Sequence, residues 1–166
     1  VKPILALTST GIYDFGDDVG AANVVKICGN FLIASAIESM SEAFTLAEKN
    51  NVDRVQLKEM LTKTIFDCLI YKGYGQRVAE FDHVPYENAH FALELGYKDV
   101  NLVNETAHKS KVVMPFASAL KNRYCVAMNK EREKLDWSAI ALSVNEDAGF
   151  DMTEQATKCS PQTKTV

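Results

Sequence analysis

The chain has 166 residues, 47% of them apolar and 24% charged, which suits one globular domain with a genuine core. A net charge of −4 argues against a nucleic-acid or anionic-membrane partner. The longest apolar runs are broken by charge before the roughly 20 residues that a membrane span needs, and Val1-Lys2-Pro3 followed by the short Ile4–Leu7 run makes no secretory leader.

Residues 1–10 carry a short helix-like pattern. Gly11-Ile12-Tyr13-Asp14-Phe15-Gly16 reads as a brief strand bounded by glycines. A strand without a neighbour leaves its backbone groups unpaired, so the rest of its sheet is expected upstream. A first residue of Val in place of Met is likewise expected of a fragment.

From Asp18 to Lys49 apolar residues recur at three- and four-residue steps, with Ile33, Ile37 and Phe44 widening the stripe. Some thirty residues at 1.5 Å each make a helix about 45 Å long, a spine on which other helices or a second subunit pack. Asn50-Asn51 ends it. Lys26 and Asn30 lie four residues apart and project from one face, with Asn23 a turn below.

Asp53 opens a second helix in a capping-box-like sequence, expected to run on Met60, Leu61, Ile65, Cys68 and Leu69 to about Tyr71. Gly73-Tyr74-Gly75 is expected to break it before a short helix over 76–80, and residues 82–87 form a loop. Phe91-Ala92-Leu93-Glu94-Leu95 leads into a helix ending near Ser110, with Lys98 and Asp99 at its opening. Pro115 starts another helix, to about Lys130. Asp136 caps a last one from Trp137 to Ala148, closed by Gly149. Beyond Asp151 the tail is polar and expected to be disordered. The fold class expected is all-α, with residues 1–17 as the end of a preceding unit, 18–150 as the helical domain and 151–166 as the tail.

Four cysteines, Cys28, Cys68, Cys125 and Cys159, show neither Cys-x-x-Cys nor a nearby His in ligand spacing. They are expected reduced, in a cytoplasmic setting, with no metal, and three fall in apolar helical patterns where buried thiols are common. His83, His90 and His108 have no partner pattern and are expected structural or exposed, with a place for His90 at a cleft edge as the alternative.

Lys26 is the leading chemical candidate. A lysine in a semi-enclosed cleft can exchange a proton with a hydroxyl and stabilise a developing alkoxide; the plainer alternative is a solvated lysine whose stem covers apolar surface. Asn30 can bond a substrate oxygen or the Lys26 ammonium, or simply bridge two helices. Lys98 suits a carboxylate or a cofactor, or else a surface ion pair. Gly16 and Gly20 form no phosphate loop, because no strand–turn–helix unit with Gly-x-Gly-x-x-Gly exists in the chain.

Three stretches carry a resemblance. Gly20-x-Ala22-x-x-x-Lys26-x-x-x-Asn30, then Phe91-x-Leu93-x-Leu95-x-x-Lys98-Asp99-Val100, then Asp136-Trp137-Ser138-Ala139-Ile140 resemble the C-terminal domain of the β-hydroxyacid dehydrogenase family. That family includes 3-hydroxyisobutyrate dehydrogenase and, as a larger relative, 6-phosphogluconate dehydrogenase. The resemblance implies a helical substrate-binding and dimerisation domain behind an N-terminal Rossmann domain that binds most of the NAD or NADP. It implies Lys26 as catalytic acid/base, Asn30 and Gly20 as substrate-binding residues, and Lys98, Phe91 and Asp99 at the cofactor end. It implies a homodimer or homotetramer acting on a small hydroxy acid or semialdehyde, with this chain alone inactive. Two positions depart from the pattern: Ala22 replaces a glycine, and Gly29-Asn30 stands where the family has an asparagine pair. The related imine reductases generally lack the lysine, so Lys26 favours hydroxy acid or semialdehyde chemistry. The alternatives are a non-enzymatic helical dimerisation module and an imine reductase-like enzyme.

Overall fold

The computed structural model describes residues 2–85 and 88–159. Among these the secondary structure is entirely helical, as the periodicity requires; the chain also makes two isolated antiparallel bridges, Pro85 with Leu135 and Ala92 with Asp136. The helices are α1 (Lys2–Leu5), α2 (Ala21–Lys49), α3 (Arg54–Lys63), α4 (Leu69–Glu80), α5 (Leu93–Lys109), α6 (Pro115–Asn129), α7 (Ile140–Asp147, preceded by a 3-10 turn at Trp137–Ala139) and α8 (Thr153–Cys159).

The spine is α2, which packs against α3, α4, α5, α6 and α7. By length and composition it would reach across a membrane. Here its C-terminal half is core: Ala34, Ile37, Met40 and Phe44 are buried with Leu93, Leu120, Tyr124, Trp137, Ile140 and Leu142. The polar residues caught in this half bond back along the helix, Ser41 to the Ile37 carbonyl and Thr45 to the Ser41 carbonyl, both at 2.7 Å. The N-terminal half is open, with Val24, Val25 and Leu32 exposed and Ile27 as its buried anchor. Buried Arg54 ties four helices together, donating to Glu48 (2.8 Å), Asn145 (3.1 Å) and the Val78 carbonyl (3.0 Å).

Several boundaries differ from expectation. The second helix stops at Lys63, where Thr64 leaves the helical region (φ −125°, ψ −101°). The next runs straight through Gly73-Tyr74-Gly75. A glycine costs a helix about 1 kcal/mol relative to alanine, but Gly75 is buried where a Cβ would lie 3.3 Å from Met40 Sδ, so close packing on α2 explains it. Met60, Ile65 and Leu69, expected on the buried face, are exposed. Residues 11–16 form no strand; they are exposed, with no neighbouring strand to pair with among the described residues. Cys28 and Cys68 are exposed and Cys125 is half-buried, so the expectation of buried thiols fails at Cys28 and Cys68. The tail begins with a helix, not disorder: Asp151 Oδ1 accepts the Thr153 N–H at 3.0 Å, and Met152 is buried. Residues 160–166 lie outside the described residues.

Candidate active site

Two helices build the site. Gly20 is the N-cap of α2, its N–H donating to Asp18 Oδ1 at 2.7 Å, and it makes no hydrogen bond to Lys26, Asn30 or Asp99. Ile27 buries one side of the next turn, which turns Lys26 and Asn30 toward α5. Asp99 faces them from α5 with 1% of its surface exposed. Lys98 and Asp99 therefore lie in the second turn of that helix, not its first, because α5 already starts at Leu93 and Glu94 serves the first turn.

Lys26 Nζ and Asn30 Nδ2 both donate to Asp99 Oδ2, the asparagine at 2.6 Å. Lys98 Nζ stands 3.6 Å from Asp99 Oδ1, and that oxygen is buried and accepts no hydrogen bond. Burial works against ionising Asp99, yet the hydrogen bonds from Lys26 and Asn30 and the charges of Lys26 and Lys98 outweigh it and hold the carboxyl below the usual range. Lys26 remains 53% exposed, so its ammonium is anchored on one side and open on the other. Gly29, beside Asn30, has open space where a Cβ would be.

Phe91 lies just before α5, half-buried, its ring edge-on to Trp137 with centroids 4.9 Å apart. His90 is exposed and meets Tyr74 edge-on. His83, by contrast, is completely buried, with Nδ1 2.9 Å from Ser138 Oγ, and Ser138 Oγ donates to Asp136 Oδ1 at 2.6 Å. Sequence reasoning read Asp136 as a helix cap and as part of an Asp-x-Ser-Ala element and left His83 without a partner, because no local pattern connects that element to a histidine 55 residues from Ser138. Among the described residues no group of three His, Cys, Asp or Glu side chains is placed to hold a metal.

Residues 20–144 match the family model for the NAD-binding domain of NADP-dependent 3-hydroxyisobutyrate dehydrogenase. The chain belongs to the 3-hydroxyisobutyrate dehydrogenase-like family. Its relatives include the uncharacterized oxidoreductase YfjR of Bacillus subtilis, 34% identical over 84% of this chain and 47% of that one. L-threonate dehydrogenase of Haemophilus influenzae is 26% identical, over 84% of this chain and 45% of its own length. The solved 3-hydroxyisobutyrate dehydrogenase of Salmonella typhimurium superposes with a TM-score of 0.77 at 27% identity, covering 86% of this chain and 48% of that one. The chain thus spans about half the length of the relatives it matches.

NAD(P) is the cofactor class that this family membership supports. The described residues fit one end of such a molecule. Its diphosphate finds no glycine-rich strand–turn–helix unit here, since the described residues hold no strand. A carboxamide or a ribose hydroxyl can bond to the exposed ammonium groups of Lys26 and Lys98, which stand on either side of a carboxylate.

Proposed function

We propose that residues 18–150 are the substrate-binding and assembly domain of an NAD(P)-dependent oxidoreductase acting on a short β-hydroxy acid or its semialdehyde. Residues 1–17 close a Rossmann domain lying upstream. The observation that carries this reading is the convergence of Lys26 and Asn30 on buried Asp99, with the Lys26 ammonium still half open. Hydride exchange at the hydroxyl-bearing carbon is the chemistry that a bound nicotinamide supplies.

On reduction the Lys26 ammonium gives a proton to the carbonyl oxygen as the hydride reaches the carbon; on oxidation the hydroxyl proton passes to Lys26 once its Nζ has released a proton to solvent through its exposed side. Asp99 is the anchor that keeps Lys26 and Asn30 side by side. Asn30 orients the substrate oxygen, Gly20 borders the substrate, and Lys98 offers its cation to the carboxylate or the cofactor, with Phe91 at that same end. Two relatives are named for hydroxy acids, which supports this substrate class. Exposed Leu32, Ile65 and Leu69 support assembly as a homodimer or homotetramer.

The test is an assay of the protein extended upstream through its Rossmann domain, across short hydroxy acids, semialdehydes and cyclic imines. Lys26→Ala is expected to lower kcat by ~10²–10⁴-fold while the variant stays folded at the assay temperature. Turnover by neither protein overturns the reading in favour of a helical assembly module, equal turnover by both overturns the role of Lys26, and turnover of imines alone overturns the substrate class. The 166-residue chain by itself is expected to turn nothing over.

A further inference from the structure

α5 begins without a side-chain cap, since Ala92 occupies its N-cap. Its entry is held by the 133–137 segment instead. The Leu93 N–H donates to the Leu135 carbonyl (2.9 Å), the Glu94 N–H to the Glu133 carbonyl (3.1 Å), and the Trp137 N–H to the Phe91 carbonyl (2.8 Å). Asp136 adds a buried carboxylate to this clamp, and each of its oxygens does a different job. Oδ1 accepts the Ser138 N–H (3.0 Å) and hydroxyl (2.6 Å), which is an ordinary local cap. Oδ2 reaches outside its own helix to the backbone N–H groups of His90 (2.9 Å) and Phe91 (3.4 Å). A charged acceptor this well buried is a stronger tether than a neutral one.

We propose that Asp136 is a positioning residue: Oδ2 fixes the His90–Phe91 peptide, and thereby sets the Phe91 ring against Trp137 and the first turn of α5 at the cofactor end of the cleft. The functional half of this inference rests on the reading of the cleft given above; the structural half does not.

Trp137 is the single tryptophan and touches Phe91, so its emission reports the tether directly. In the 166-residue chain, Asp136→Asn replaces one acceptor oxygen with an amide that cannot accept. Amide exchange at His90 and Phe91 is expected to accelerate about ten- to a hundredfold more than exchange in the α2 core, with Trp137 emission shifting toward that of Phe91→Ala. Ser138→Ala removes the hydroxyl but leaves the Oδ2 contacts, and is expected to keep both amides protected relative to the core. Uniform acceleration across all amides in Asp136→Asn, or an unshifted emission, overturns the proposal. Should Asp136→Asn not fold, the parent decides: His90 and Phe91 amides exchanging at the rate of an unstructured peptide overturn it.

In the protein with its Rossmann domain, Asp136→Asn and Phe91→Ala are each expected to raise the cofactor KM about tenfold with kcat little changed, and the double variant to add nothing further. Additive effects, or a parental KM in an active Asp136→Asn, overturn the positioning role. A parent that catalyses nothing overturns the proposed function instead, and the exchange and emission results still decide the tether.

Discussion

Two polar clusters flank α5, and they use the same kinds of residue to opposite ends. In one, Asp99 accepts from Lys26 and Asn30 at an edge where the lysine is half exposed and one carboxylate oxygen accepts no hydrogen bond. In the other, Asp136, Ser138 and His83 are joined by hydrogen bonds, and all three are 0% exposed. An aspartate, a serine and a histidine in one chain of bonds have the composition of a nucleophilic triad, but no substrate can enter a closed site. Geometry also opposes it: the serine hydroxyl donates to Asp136, so His83 Nδ1 is left to donate to the serine, the reverse of a base. Exposure, more than residue type, separates chemistry from architecture here.

The two clusters are expected to fail in different pH windows, and the closed one gives the larger effect. Burial, reinforced by the charges of Arg54, Arg77 and Arg132, pushes the His83 pKa from 6.5 down to about 3. Between those values the unfolded chain binds a proton that the folded chain refuses. Stability is thus unaffected above pH 6.5 and declines as pH falls toward 3, by about 4–5 kcal/mol over the full range. Urea midpoints of the parent should fall between pH 6.5 and 4, and His83→Asn should flatten that fall despite a lower midpoint at pH 7. Parallel curves for the two proteins would mean that His83 is not the group responsible.

The open cluster should respond less. Asp99 has a depressed pKa, so its contribution is present above the ordinary carboxylate value near 3.8 and is lost only as pH falls through its lower folded value. Asp99→Asn is expected to cost about 1–3 kcal/mol at pH 7, measured by urea unfolding, and to leave the decline from pH 6.5 to 4 as steep as in the parent. A shallower decline would couple the two clusters. The smallest effect is expected at Gly29, where open space admits a side chain. Gly29→Asn restores the asparagine pair of the family pattern and should change stability by less than about 0.5 kcal/mol. A larger loss in thermal or urea unfolding would show that this face is closer packed than the structure has it.

Much of the open cluster was legible in the sequence. Lys26 and Asn30 share a face by helical spacing alone, and a 3.6-residue period needs no tertiary knowledge. Asp99 was singled out, but as a helix-start residue beside Lys98; that it meets Lys26 and Asn30 depends on how α5 lies across α2. The closed cluster was almost illegible. Asp136 displayed its capping role through local spacing, while its second oxygen and the His83 contact join segments far apart in the chain. The break at Gly73-Tyr74-Gly75 was misplaced for a related reason, because local propensity penalises glycine without knowing that Met40 lies against it.

By itself, then, the sequence determined the all-helical class, the long spine, the polar pair on its open half and the family to which they belong. These follow from periodicity, capping and motif spacing, which act within a few residues along the chain. Tertiary structure decided which half of α2 is core, which aspartate meets the lysine and which cluster is sealed. Those outcomes depend on burial and on contacts between residues as distant as Lys26 and Asp99, and no local pattern encodes the dielectric or the water that a side chain finally meets.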